Sequence, residues 1–268
     1  MQDAEWIIIR DWFQGYEACF SGPDGKLPPL LQGKAGHSRR VSANARDLAV
    51  DLGHSRGEVL HAQTAGLLHD VGRFPQFRDF GTFSDPRSIN HGERGWTVLC
   101  EDPDFLRLSV SRRGDLLAAV RHHNCRVLPE QLSPSERHLT EIVRDSDKLD
   151  IFKVILDAIQ SGDVEKNETI FLHVPAEGGP NPLIVECIRN GRTASYEHIR
   201  NRTDFGLQLL SWAFDLAFDA TCRRLIDRGL FDAIIAHLPD DPTVRESVDI
   251  ARTHLHRRVA AAGAAGQA

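Results

Sequence analysis

The sequence predicts an all-α protein. Three observations carry that reading. Apolar residues recur at helical spacing over most of the 268 residues, Gly and Pro stops separate the periodic stretches, and only Leu183 to Ile188 reads equally well as a helical turn or a short strand. Residues 4–20 form the first helix, ended by the cluster Ser21-Gly22-Pro23-Asp24-Gly25 and the pair Pro28-Pro29, which read as a loop. Residues 36–53 place Val41, Ala45, Leu48, Ala49 and Leu52 on one face, with Gly53 set to cap the end and His37 one turn before Val41 on the same inward face. Residues 56–71 repeat the pattern through Leu60, Thr64, Leu67, Leu68 and Val71 and stop at Gly72, so His69-Asp70 falls in the last turn.

Residues 73–89 have no clean period and contain two prolines and four phenylalanines, Phe74, Phe77, Phe80 and Phe83. They read as a long ordered loop, a plug over a functional site. Helices follow over 90–101, 112–122 and 134–160; the stretch 161–194 carries a turn at Gly178-Gly179-Pro180-Asn181-Pro182 and is otherwise ambiguous. Helix returns over 200–229 and 242–258, and the small-residue tail 259–268 reads as flexible. One domain spanning 1–258 is expected, with a motif-bearing core over about 30–160 and a helical extension over about 195–258.

Composition excludes several classes. A hydrophobic fraction of 41% and a charged fraction of 26% are those of a globular protein, and no segment approaches the ~18 unbroken apolar residues of a membrane span. Met1 to Arg10 lacks a basic start and a cleavage site, and Cys19, Cys100, Cys125, Cys187 and Cys222 form no C-x-x-C pair, so the expectation is a reducing, cytoplasmic setting without a disulfide framework. A net charge of -6 argues against nucleic acid as the partner. Thirteen histidines, in a chain with two tyrosines and one methionine, are a large supply of a ligand suited to first-row metals.

Packed helices are good metal scaffolds because they fix donor atoms at helix ends and inward faces. Carboxylates neutralise a divalent ion, and neutral imidazoles favour transition metals over calcium. His37, the pair His69-Asp70 and an aspartate from the 134–160 helix suit such a site. Periodicity leaves that aspartate open, since Asp147 lines up with Val143, Ile151 and Val154, and Asp145 with Ile142, Leu149 and Phe152. Asp150 is a further rival.

The order His37-Ser-Arg-Arg-Val, Leu67-Leu68-His69-Asp70-Val71-Gly72-Arg73, Arg121-His122-His123-Asn124 and Ile142-Val143-Arg144-Asp145-Ser146-Asp147-Lys148-Leu149-Asp150 resembles the HD-domain superfamily over about residues 30–160. The stretch HDVGRFPQF, GTFSD and then NH resembles more narrowly a bacterial subgroup described as metal-dependent phosphohydrolases. The resemblance implies an HD-type helical bundle with added C-terminal helices. It assigns His37, His69, Asp70 and Asp147 as metal ligands, with Ser146 replacing the usual alanine. It implies a second metal held by Asp70 with His91, His122 and His123, and one or two divalent ions per chain drawn from Mn, Mg, Fe, Co, Ni and Zn. Arg73, where many relatives have lysine, and Lys148 are its candidate phosphate contacts.

The implied activity is hydrolysis of a phosphate monoester or phosphodiester, a nucleotide being one candidate, by metal-activated water. The expected partner is thus a small phosphorylated substrate, without membrane or nucleic acid; a homo-oligomer is compatible with the chain. Two alternatives share the resemblance: a di-iron HD-fold oxygenase and a non-catalytic nucleotide-binding sensor. His54, His61, His138, His173, His198, His237, His254 and His256 lie outside the motifs and read as ordinary surface or core residues.

Overall fold

A computed structural model describes residues 1–108, 110–161 and 174–265, and the described residues are helical with no strand. They divide into two compact units, Met1–Asp150 and Ile151–Ala268. Part of the ambiguous stretch, 162–173 with His173, lies outside the described residues.

In the first unit, α1 (Asp3–Ala18) packs on α3 (Arg56–Leu68), and α2 (Pro29–Asp51) lies along α3. The α2 helix starts seven residues before the expected position 36 because Pro29 occupies its first turn, where the missing N–H costs nothing. Its approach to α3 is close: a Cβ on Gly66 would stand 2.9 Å from the Val41 carbonyl oxygen. Ser55 and Glu58 close a reciprocal cap at the start of α3.

The expected loop over 73–89 is instead α4 (Arg73–Phe80) followed by an irregular segment with a 3₁₀ turn at Asp85–Arg87. Pro75 sits in the first turn of α4 and therefore does not break it, and Gly81, with φ of 65°, ends it. Phe74 is fully buried among Phe13, Tyr16 and Phe20. Phe80 is exposed, so only part of the aromatic stretch is a plug.

Asn90 caps α5 (His91–Glu101) by accepting from the Glu93 amide, and α5 packs on α7 (Arg113–His122) after the short α6 (Pro103–Arg107). The last long helix of this unit, α8 (Pro134–Gln160), continues into the second unit. There, α9 (Pro182–Arg189) resolves the helix-or-strand ambiguity in favour of helix, with Asn181 as its cap. The remaining helices are α10 (Arg202–Ser211), α11 (Asp219–Asp227), α12 (Leu230–Ile235) and α13 (Pro242–Ala265). Phe152, Trp212 and Phe231 anchor that unit's core. The α13 helix runs beyond Arg258 to Ala265, within the segment 259–268 expected to be flexible, consistent with the high helix propensity of its alanines; residues 266–268 lie outside the described residues. No helix among the described residues is long and apolar enough to cross a membrane.

Candidate metal centre

Asp70 lies in the turn that joins α3 to α4, and its side chain is only 3% exposed. The turn is held tightly, since a Cβ on Gly72 would come within 2.1 Å of the His91 carbonyl oxygen. Four imidazoles converge on the Asp70 carboxylate, two on each oxygen. Oδ2 lies 3.6 Å from Nε2 of both His37 and His69. Oδ1 lies 3.5 Å from His91 Nε2 and 3.7 Å from His123 Nε2. Two donors each ~2.1 Å from a first-row ion can be no more than ~4.2 Å apart, and all four separations fall below that limit.

The proton positions on these rings follow from their other nitrogens. His69 Nδ1 is 2.8 Å from the Gly66 carbonyl oxygen, and His123 Nδ1 is 2.8 Å from that of Val120. A carbonyl can only accept, so each Nδ1 donates and each Nε2 keeps its lone pair. His37 Nδ1 donates to Asp150 Oδ2 at 2.6 Å, and His91 Nδ1 to Asp85 Oδ2 at 2.7 Å. All four Nε2 atoms are thus presented toward Asp70 with the orientation that metal-ligating histidines need.

Two features of this arrangement suit a cation. His91 Nε2 and His123 Nε2 face each other at 3.0 Å, although the Nδ1 assignments leave a lone pair on both. Among the described residues, His69 Nε2 and Asp147 Oδ1 are buried without a hydrogen-bond partner. Asp147 Oδ1 lies 3.0 Å from His37 Nε2 and 3.7 Å from His69 Nε2, so it flanks the His37 side of Asp70. Among the described residues, two groups have donor atoms close enough to share an ion: His37 with His69 and Asp70, and Asp70 with His91 and His123.

Electrostatics favour the neutral form of His69 and His91 and the ionised form of Asp70 and Asp147. Burial holds the His69 imidazole down at about 4, and burial together with the Arg73 guanidinium holds His91 at about 3, so both are neutral at pH 7. Burial opposes ionisation of Asp70 and Asp147, yet Lys34 and His69 hold the first, and His37 and His69 the second, well below the usual carboxylate range. Burial and Lys34 both act to lower His37, but Asp147 and Asp150 outweigh them and shift it upward. A positive charge at His37 Nε2 is therefore stabilised.

A family model for the HD domain matches residues 35–159. This segment is similar to the HD domain. The match contains His37, His69, Asp70, His91, His123 and Asp147, and no curated protein or solved structure matches the chain.

The structure separates the residues anticipated for the site. Of the adjacent histidines, His123 turns in and is buried, whereas His122 does not join the cluster: its Nδ1 lies 3.8 Å from Cys125 Sγ. Neighbouring residues at a helix end point about 100° apart, so one of the pair must face elsewhere. Asp150 is not a rival of Asp147, because it orients His37 and is itself gripped by Arg40 Nε and Nη2 at 2.7 and 2.9 Å. Asp145 is buried on α8. Lys148 is also buried on α8, turned about 100° around the helix from Asp147.

Arg73 Nε lies 3.5 Å from Asp70 Oδ1, and its Nη1 donates to Gln76 Oε1, the Phe83 carbonyl and Asp85 Oδ1 at 2.8, 2.6 and 2.9 Å. Gln76, fully buried, donates from Nε2 to Asp85, Ser88 and the Ile89 carbonyl. Asn124 Nδ2 adds a bond to Asp85 Oδ2 at 3.2 Å. Sequence reasoning missed Asp85, Gln76 and Asn124 as supports of His91, although each lies within a quoted motif. It also missed Lys34, whose Nζ donates to Asp70 Oδ2 at 2.9 Å. Placing the start of α2 at residue 36 had left Lys34 in a loop, whereas on the helix it lies one turn before His37.

Proposed function

We propose that the chain is a metal-dependent phosphohydrolase acting on a phosphate monoester or phosphodiester, a nucleotide being one candidate. A single observation carries this reading: each Asp70 oxygen is faced by two imidazole Nε2 atoms whose partner nitrogens are already committed to hydrogen bonds. His37, His69, Asp70 and Asp147 would hold one divalent ion, and Asp70, His91 and His123 a second. Ions bound there supply Lewis acidity toward a phosphoryl oxygen and toward water.

The chain's own residues do the rest. Asp150 and Asp85 hold the His37 and His91 rings in line, and the carbonyls of Gly66 and Val120 do the same for His69 and His123. Burial keeps competing water from the donors and strengthens their electrostatics. Arg73, beside Asp70 Oδ1 and 15% exposed, is placed to steady the negative charge of a phosphoryl group. That cation favours phosphate chemistry over the di-iron oxygenase, for which the same His/Asp donors would serve.

The test reconstitutes the protein with Mn²⁺, Mg²⁺, Co²⁺, Zn²⁺ or Fe²⁺ under anaerobic conditions and screens phosphorylated metabolites for phosphate release. Release without oxygen is expected. Asp70→Ala should lose metal from both sides and fall to the background rate, because both donor groups share this carboxylate. Oxygen consumption by an iron-loaded protein that releases no phosphate would make it an oxygenase. Full metal content and turnover in Asp70→Ala would remove the centre altogether.

A further inference from the structure

Lys34 is outside both donor groups, yet it donates to the carboxylate that they share. Its side chain is 24% exposed where Asp70 is 3%, so the ammonium stands at the rim, between the buried carboxylate and solvent. It spends one donor on Asp70 Oδ2, and among the described residues the other two N–H groups have no acceptor. Arg73 occupies the matching position on the other oxygen, with Nε 3.5 Å from Asp70 Oδ1, and its Nη2 likewise has no acceptor among the described residues. Both cations lie against one ring: Lys34 Nζ is 5.6 Å and Arg73 Cζ 5.9 Å from the Phe83 centroid. Each Asp70 oxygen thus has two imidazoles on its inner side and one cation at the rim.

Pairing with Asp70 uses one of the three donors of this partly exposed ammonium, so the pair alone does not account for a second cation here. Its unused donors do. A phosphoryl dianion presents several acceptor oxygens and two negative charges, which two cations flanking an apolar ring can satisfy together. We propose that Lys34 and Arg73 form a phosphoryl-binding subsite at the rim, bordered by Phe83, with Lys34 gripping the anion on the His37 side. This rests on the metal-centre reading above.

The test uses the full chain and orthophosphate as the probe. Mn²⁺ is titrated first, then orthophosphate into the manganese-loaded protein, by calorimetry, for the parent, Lys34→Met and Lys34→Arg. Lys34→Met should keep the parent's fold by circular dichroism and its manganese stoichiometry, with manganese affinity equal or tighter because a neighbouring positive charge is gone. Its phosphate affinity should fall by about tenfold or more, the scale of one charged hydrogen bond, and Lys34→Arg should recover part of the loss. Equal phosphate affinity in Lys34→Met and the parent overturns the subsite, as does a parent that binds manganese but no phosphate. Loss of manganese from Lys34→Met also overturns it, making Lys34 a support of the ligands. A parent that takes up no divalent ion refutes the metal-centre reading, and the subsite with it, before any variant is compared.

Discussion

The two sides of Asp70 present similar donors on different foundations. On the His37 side the side chains come from three long stretches of helix: His37 from α2, His69 from the end of α3 and Asp147 from α8. His37 is fixed by Asp150, which Arg40 grips with two nitrogens. On the other side His123 is fixed as His69 is, by the carbonyl three residues earlier. His91, however, depends on Asp85, which stands on the irregular segment after α4 and is held by side chains, Arg73, Gln76 and Asn124. Groups carried on regular helix and its ends orient one half of the centre, and a network reaching the irregular segment after α4 orients His91 in the other. The His91 side should therefore loosen first when that network is cut.

Arg73 belongs to both the network and the rim, so its loss should give the largest effect. Arg73→Ala removes a cation beside Asp70 and the Nη1 bond to Asp85 at once. Turnover should fall by roughly 10²- to 10³-fold, as for loss of one donor to developing charge, and metal should bind more weakly on the His91 side. Sequence alone suggests that metal content would survive this change; the bond to Asp85 argues otherwise. Lysine should restore part of the turnover and little of the metal affinity, since a single ammonium cannot reproduce the fork that bridges Asp70 and Asp85. Steady-state kinetics beside metal analysis decide it, and parental catalytic efficiency in Arg73→Ala would return the residue to the surface.

A narrower cut separates the two sides. Asp85→Asn keeps the shape but removes the charge that stabilises the donated proton on His91 Nδ1. Metal affinity on the His91 side should drop about 10- to 100-fold, the usual cost of losing a carboxylate behind a ligating histidine, while the His37 side holds its ion. Equal weakening of both ions in a two-site titration, or of neither, would mean that the sides are not independently supported.

What sequence conveyed and what it hid divide along the same line. The 134–160 helix and the inward faces of the helices bearing His37 and His69 were legible because burial imposes a 3.6-residue period on side-chain choice. Asp85 and Gln76 lie where no period exists, and their role arises from contacts across a folded segment, which spacing cannot reveal. Sequence named both His122 and His123 for a related reason: adjacent residues at a helix end differ only in direction, and direction is set by packing. Lys34 was hidden by a boundary, because two prolines read as a stop when the second was the start.

The smallest effect concerns a histidine on the same helix as the His69 pair but turned elsewhere, and it tests what the centre's burial does by itself. His61 on α3 is 2% exposed, and among the described residues neither ring nitrogen has a hydrogen-bond partner and the nearest carboxylate oxygen is Asp115 Oδ2 at 3.9 Å. Burial, helped by Arg112, holds it down at about 4. Between its unfolded pKa of ~6.5 and that value the unfolded chain binds a proton that the folded chain refuses, so stability from this residue is present at neutral pH and is lost as pH falls through the window. From pH 7 to 5.5 the loss should be about 1 kcal/mol. His61→Leu should lose correspondingly less stability over the same interval in urea unfolding with a chelator present. Other groups, including His69 and His91, titrate in both proteins and cancel in the difference. Identical pH dependence for the two would show that the folded chain protonates His61 as readily as the unfolded one, and that burial without a hydrogen bond does not keep an α3 imidazole neutral.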